Sequence, residues 1–177
     1  MVNSQIASAL YQAVCDNTVE SVELLVDQGA DVNYYDKDAQ VAMATPLRAA
    51  CAKGELGLIQ SLIVNQAEVF AAFGNDSWCA LHSAAEGGHD DVWKMLLEEA
   101  EDLHDVSLHN GFSLMHILME CANPRLVDCG VALVNWVLRR RFPLVDVNAR
   151  SKRPGFEDWT PLHMAFAPGQ LKLADCL

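Results

Sequence analysis

Apolar and polar positions follow a helical period along most of this chain, broken at near-regular intervals. Stripes of apolar residues occur at Val22/Leu24/Leu25 (with Val26), Leu58/Ile59/Leu62/Ile63 and Val92/Trp93/Leu96/Leu97. Each predicts an amphipathic helix that buries one face. Burial of each such Leu or Ile contributes about 1.5–3 kcal/mol. Before these stripes lie shorter helical segments with small inward positions: Ala13/Val14, Ala50/Cys51 and Ala84/Ala85, with Ala165 in a later copy. Small side chains let a neighbouring backbone approach closely. Asn17, Gly54 or Gly88 separates the short segment from the striped one, and all three tolerate a left-handed turn. Gly29 is placed to end the first striped helix.

The same punctuation recurs as a repeat. Residues 24–33 (Leu-Leu-Val-Asp-Gln-Gly-Ala-Asp-Val-Asn) are echoed by 61–70 and 95–104, and Asp146-Val147-Asn148 repeats the ending. A second block, Thr45-Pro46-Leu47-Arg48, returns as Cys79-Ala80-Leu81-His82, Ser113-Leu114-Met115-His116 and Thr160-Pro161-Leu162-His163. Ser8-Ala9-Leu10-Tyr11 is its degenerate first copy. The copies start 37, 34, 34 and 47 residues apart. Such a period predicts stacked helical pairs rather than one closed core. Thr45 and Thr160 are suited to cap a helix through the hydroxyl, with Pro46 and Pro161 at the first helical position, where no N–H is needed. An extended connector is expected to begin at each Asp-Val-Asn ending.

These blocks, in this order, resemble ankyrin repeats: T-P-L-H, A-A, G-H, a leucine stripe, G-A-D-V-N. The resemblance covers about residues 4–177. It implies an all-α solenoid of helix-turn-helix units with β-hairpin or loop fingers, in one domain spanning 1–177. The expected repeats are about 4–36, 41–73, 75–107, 109–150 and 156–177, the last truncated. It also implies that His82, His116 and His163 bridge backbone and hydroxyl groups within and between repeats, rather than bind metal. The same resemblance marks Asn33 and Asn148 as occupying a position that is hydroxylated in some animal members. The plainer reading is that these side chains organise the connector.

Several features depart from the pattern. Unit one lacks Thr-Pro, and its polar Gln5, Ser8, Tyr11 and Gln12 suit an N-terminal cap. In unit four, Ala122-Asn123-Pro124 replaces the usual glycine turn, and a long helix is expected from about Leu126 to Arg140. The steps Asn33–Thr45 and Asn148–Thr160 are 12 residues, against 9 for Phe70–Cys79 and His104–Ser113, so fingers one and four are lengthened. Leu171 to Leu177 reads as an unfinished second helix, from which further C-terminal sequence is expected.

Charge narrows the choice of partner. The net charge is −12, but residues 1–108 hold 4 Lys/Arg against 18 Asp/Glu, while residues 109–177 hold 8 against 6. The acidic part disfavours nucleic acid and anionic membranes and favours a basic partner surface; the plain alternative is that the carboxylates keep the array soluble. No apolar run is long enough to span a membrane, and the N-terminus lacks the pattern of a secretion signal. Six scattered cysteines without a C-x-x-C pair fit buried thiols in a reducing, cytoplasmic setting, the nucleus included. Phosphate loops, H-E-x-x-H and nucleophile elbows are absent, and Cys121 near His116 has nothing to orient the pair, so neither catalysis nor a cofactor is expected.

The expected function is therefore a scaffold or adaptor that binds a protein or peptide through its fingers and concave first-helix face. The alternative is a regulatory or targeting segment of a larger enzyme or adaptor. Candidate contact residues are Tyr34, Tyr35, Asp38, Phe73, Asn75, Asp76, Trp78, His109, Asn110, Phe112, Arg150 and Trp159. Tyr34 and Tyr35 belong to no apolar stripe and lie among polar neighbours, as aromatic binding anchors do. Trp78, Phe112 and Trp159 either pack under the fingers or face a partner. Arg139, Arg140, Arg141, Arg150, Lys152 and Arg153 form the one basic cluster, read first as a solvated face and second as a site for an acidic peptide or phosphate.

Overall fold

A computed structural model describes residues 2–35, 45–71, 79–99, 116, 139, 148–152, 155 and 157–165. The described elements are helices: α1 (Val2–Cys15), α2 (Val19–Asp27), α3 (Pro46–Lys53), α4 (Leu56–Val64), α5 (Ala80–Gly87), α6 (Asp90–Glu99) and α7 (Pro161–Ala165). No strand occurs among the described residues. The chain resolves into two compact units, Met1–Val92 and Trp93–Leu177.

In the first unit the helices form two layers. α3 packs between α1 and α5, while α2 lies against α4. The close approach of α1, α3 and α5 depends on the small positions seen in the sequence. Ala13, Ala50, Cys51, Ala84 and Ala85 are all buried. Between the layers sit Leu10, Val14, Val22, Leu58, Ile59 and Leu62, all fully buried or nearly so. In α6, which spans the boundary between the two units, Val92, Trp93 and Leu96 are buried, and Asp90 and Asp91 occupy the helix start, where the dipole favours carboxylates.

One expected stripe is shifted. Leu24 is 59% exposed, while Leu25 and Val26 are half-buried beside buried Val22. The cause is geometric: Leu24 lies two positions, about 200°, from Val22, whereas Leu25 and Val26 return to its face. The apolar face of α2 is therefore 22, 25, 26.

The turns follow the expected chemistry. Asn17, Gly54 and Gly88 all have positive φ, at 57°, 74° and 77°. In these turns the N–H of Gly54 reaches the Cys51 carbonyl, and the N–H of Gly88 reaches that of Ala85. The second helices end the same way, at Gly29 (φ 84°) and at Gln66 (φ 70°). Gln66 takes the place that glycine holds in the preceding repeat. A side chain in the left-handed region costs about 1–2 kcal/mol. Gln66→Gly is therefore expected to raise stability by about 0.5–1 kcal/mol after glycine's greater unfolded-state entropy is subtracted. Urea titration of the two proteins reads this directly; a lower midpoint for the glycine variant contradicts it.

The connector after α2 is not extended at its start. The Asn33 N–H donates to the Asp31 side chain (2.9 Å), and the Tyr34 N–H donates to the Asp31 carbonyl (3.2 Å). Asp31 thus closes a tight turn through its side chain and its backbone at once, the alternative to extension that aspartate offers. Ala30 and Val32 point inward and anchor that turn.

Candidate functional site: the helix starts and fingers

Side chains hold the starts of α3, α5 and α7, with a one-way cap at α3 and reciprocal boxes at α5 and α7. In α3 the Arg48 N–H donates to Thr45 Oγ1 (3.3 Å), with Pro46 next in line. At α7 the Thr160 N–H donates to His163 Nδ1 (3.1 Å), the His163 N–H reaches Thr160 Oγ1 (3.4 Å), and Thr160 Oγ1 lies 2.7 Å from Nδ1. At α5 the Cys79 N–H donates to His82 Nδ1 (3.1 Å). Nδ1 is the acceptor, so the proton of this neutral ring sits on Nε2. His116 reaches the next repeat, with its Nε2 3.0 Å from the Trp159 carbonyl. The three histidines thus bridge within and between repeats. Among the described residues no group of His, Cys, Asp and Glu is placed to hold a metal.

Arg48 occupies the histidine position in its repeat. It is 2% exposed, and its Nε lies 3.4 Å from Ser83 Oγ on α5. A guanidinium reaches farther than an imidazole, so it ties its repeat to the next through side chains. Lys53 adds a link backward, donating to the Cys15 carbonyl. His89 fits against Gly54 and Gly87, with Nε2 3.2 Å from the Ala52 carbonyl.

Cys51 and Cys79 are buried free thiols in this interior. Burial pushes the Cys79 thiol up from 9.0 to about 11, against the opposing pull of nearby backbone N–H groups and the Arg48 guanidinium. Burial, and secondarily Cys79, pushes Cys51 higher still. In the unfolded chain these thiols ionise near pH 9, whereas the folded Cys79 stays neutral to about pH 11. A raised folded value means that its contribution is intact below pH 9 and is lost as the pH climbs toward 11. The expected slope is about 1.4 kcal/mol per pH unit for each such thiol. Cys79→Ser keeps a capping atom and should flatten the decline between pH 9 and 11; equal decline in both proteins, followed by urea midpoints, contradicts this.

The described finger residues are fixed by backbone bonds. Asn33 spans two connectors: its Nδ2 donates to the Gln66 carbonyl (3.1 Å), and its Oδ1 accepts from the Glu68 N–H (2.8 Å). The plainer reading of Asn33, as an organiser of the connector, is what the geometry carries. Tyr34 and Tyr35 follow it and are half-buried. In the second unit Ser151 faces both Asp158 and Trp159. Its N–H donates to the Trp159 carbonyl (2.9 Å), and its carbonyl accepts from the Asp158 N–H (2.8 Å). Asp158 has a φ of 60°, so the pair forms a bulge that closes finger four.

At that finger Trp159 is 37% exposed and its ring leans on His163, 6.4 Å between centroids. Arg150 is exposed and pairs with Asp158 at 4.0 Å. Both partners are well solvated, which makes the pair worth little. Lys152 and Arg139 are also exposed, and Arg139 is helical. Of the expected contact residues, Asp38, Phe73, Asn75, Asp76, Trp78, His109, Asn110 and Phe112 lie outside the described residues. So do most of the long helix expected from Leu126 and the basic residues Arg140, Arg141 and Arg153. The sequence pointed to Asn33 as an organiser of its connector; what it did not show is that the side chain reaches the next connector, at Gln66 and Glu68.

The family model for ankyrin repeats (3 copies) matches residues 10–107. The chain belongs to the ankyrin-repeat family. It is similar to the nuclear factor NF-kappa-B p105 subunit of Gallus gallus, 24% identical over 179 residues, which is 100% of this chain and 16% of that protein. The ARF GTPase-activating protein Git of Drosophila melanogaster is 29% identical over 104 residues, 59% of this chain and 14% of its own length. The SMC5-SMC6 complex localization factor protein 1 of Homo sapiens is 34% identical over 92 residues, 51% of this chain and 8% of its own. The chain thus spans only a small part of each relative. Ankyrin repeats generally mediate protein–protein interaction, and the fold is a non-catalytic interaction module. Among the described residues no helix is long and apolar enough to cross a membrane.

Proposed function

We propose that this ankyrin array binds a partner protein through its fingers and the adjoining first-helix layer, and that the partner presents a basic surface to the acidic first unit. The observation that carries the reading is the fixing of fingers by side-chain and backbone bonds. Asn33 holds the base of finger one across to Gln66 and Glu68, and Ser151 closes finger four beside the exposed Trp159. A finger ordered before binding loses less entropy on association, so aromatic contacts there convert more fully into affinity. Tyr34, Tyr35, Arg150 and Trp159 are the contact residues within the described fingers, and Asp38, Phe73, Asn75, Asp76, Trp78, His109, Asn110 and Phe112 complete the proposed set. The proposed setting is cytoplasmic or nuclear, with no catalytic step of its own.

A second reading is favoured by the relatives, each of which carries the similarity within a much longer protein. On that reading the array targets or regulates a larger assembly, through the same surface. Both are tested by Tyr35→Ala and Trp159→Ala in the chain used to capture its partner. Each substitution is expected to weaken binding by about 1–2 kcal/mol, roughly five- to thirtyfold, with the thermal midpoint unchanged. Unchanged affinity with intact folding removes the fingers from the site.

A further inference from the structure

α2 and α4 leave a groove of about 510 Å³ between them, on the second-helix layer. Its α2 wall is Glu23, Val26 and Asp27, and its α4 wall includes Gly57, Gln60 and Val64. Glu23 lies 3 and 4 positions before Val26 and Asp27, and Gly57, Gln60 and Val64 are 3 and 4 apart, so each wall is one continuous helix face. Val64 is 72% exposed and lies off the buried stripe of Leu58, Ile59 and Leu62, on the face of Gly57 and Gln60. Gly57 lies in the first turn of α4, and a Cβ built there meets nothing within 4 Å. The groove is therefore open at Gly57, lined by Val26 and Val64 among the polar Gln60, Ser61 and Asn65, and edged by carboxylates on one side.

Charge decides what fits. α2 carries Glu20, Glu23 and Asp27, and neither α2 nor α4 has a single Lys or Arg. The nearest described cations are already engaged: Arg48 is buried, and Lys53 donates to the Cys15 carbonyl. We propose that the α2/α4 groove is a second docking surface, which takes a lysine- or arginine-bearing helical segment of a partner protein with an aliphatic side chain seated against Val26 and Val64. The cationic groups of that segment lie along Glu23 and Asp27, where paired solvent-facing charges give selectivity and a faster encounter rather than high affinity. The aliphatic contact covers exposed valine surface. An acidic segment meets the same carboxylates as like charges and is rejected.

The probe is a synthetic amphipathic helical peptide of lysine and leucine, with its glutamate-for-lysine counterpart as control, titrated into the isotopically labelled full chain. The lysine peptide is expected to shift amide resonances of α2 and α4, to leave those of Tyr34 and Tyr35 in place, and to weaken about tenfold between roughly 0.05 and 0.3 M salt. Gly57→Leu supplies the blocking variant. It exchanges a helical glycine for a good helix former in open space, so the fold is kept while the groove is filled. It should weaken the lysine peptide at least fivefold, and the pair Glu23→Gln/Asp27→Asn should do the same. Equal binding of the two peptides, resonance shifts confined to the fingers or first helices, or full affinity in folded Gly57→Leu each overturns the proposal. Tyr34→Ala and Tyr35→Ala leave groove binding unchanged, so this test and that of the finger site fail separately.

Discussion

Gly54→Ala is expected to cost about 2–5 kcal/mol, and about half of that cost should vanish when His89 is also replaced by alanine. Two effects meet at this glycine. Its φ of 74° is left-handed, which costs an alanine about 1–2 kcal/mol. A Cβ there would also run into the His89 ring, an overpacking penalty of about 1–3 kcal/mol. In a His89→Ala background only the first effect remains. Gly87 separates the causes further, because a Cβ there meets both the His89 ring at 2.5 Å and the Ala52 carbonyl oxygen at 2.6 Å. The backbone oxygen stays when His89 is removed, so Gly87→Ala should be rescued far less. Urea midpoints at constant m-value measure all five proteins against the parent. Additive costs for Gly54→Ala and His89→Ala would show that the ring is not what the glycine accommodates.

The second large effect lies in the core. Leu62→Ala is expected to lose about 2–5 kcal/mol, because Leu62 is fully buried between the helix layers and its removal leaves a cavity. Leu24→Ala, the same chemical change in the same layer of second helices, should fall within about 0.5 kcal/mol of the parent. Leu24 is 59% exposed and has little burial to lose. The contrast tests which residues form the apolar face of each helix. Comparable losses at the two positions would mean that Leu24 packs inward and that the face of α2 has been assigned to the wrong side.

These two cases show how much of the fold could be read from the sequence. The left-handed turns at Asn17, Gly54 and Gly88 were legible because few residues tolerate that conformation, and the repeat displayed it three times. The small inward residues of the first helices were legible for a similar reason: a close backbone approach leaves few alternatives to alanine. Leu24 was misleading because a run of apolar residues, Leu24-Leu25-Val26, does not itself say which members face inward; the 100° step per residue does. Gln66 was hidden for the opposite reason, since glutamine gives no local sign that it stands in a left-handed turn. The positions of Tyr34, Tyr35, Arg150 and Trp159 along the fingers were legible from connector length. Their exposure was not, because it depends on contacts across repeats: Asn33 to Gln66 and Glu68, and His116 to the Trp159 carbonyl. Such contacts join residues 33 to 43 positions apart, beyond the reach of local pattern.

The same separation makes Asn33 and His116 links between repeats. A finger whose base is bonded to the next repeat moves with the helices that carry it. Changes in packing between first helices are therefore expected to alter finger geometry, and with it partner affinity, even where no contact residue is touched. Arg48, buried against Ser83, is the described residue best placed to transmit such a change from α3 to α5.

On the proposed function, this ankyrin array recognises its partner with its fingers. The most direct test places a photo-cross-linking amino acid at Tyr35, at Trp159 and, as a control, at the exposed Asp16 in the turn between α1 and α2. Irradiation with the captured partner is expected to give a covalent adduct from positions 35 and 159 and none from 16. An adduct from position 16 with none from either finger would contradict recognition by the fingers.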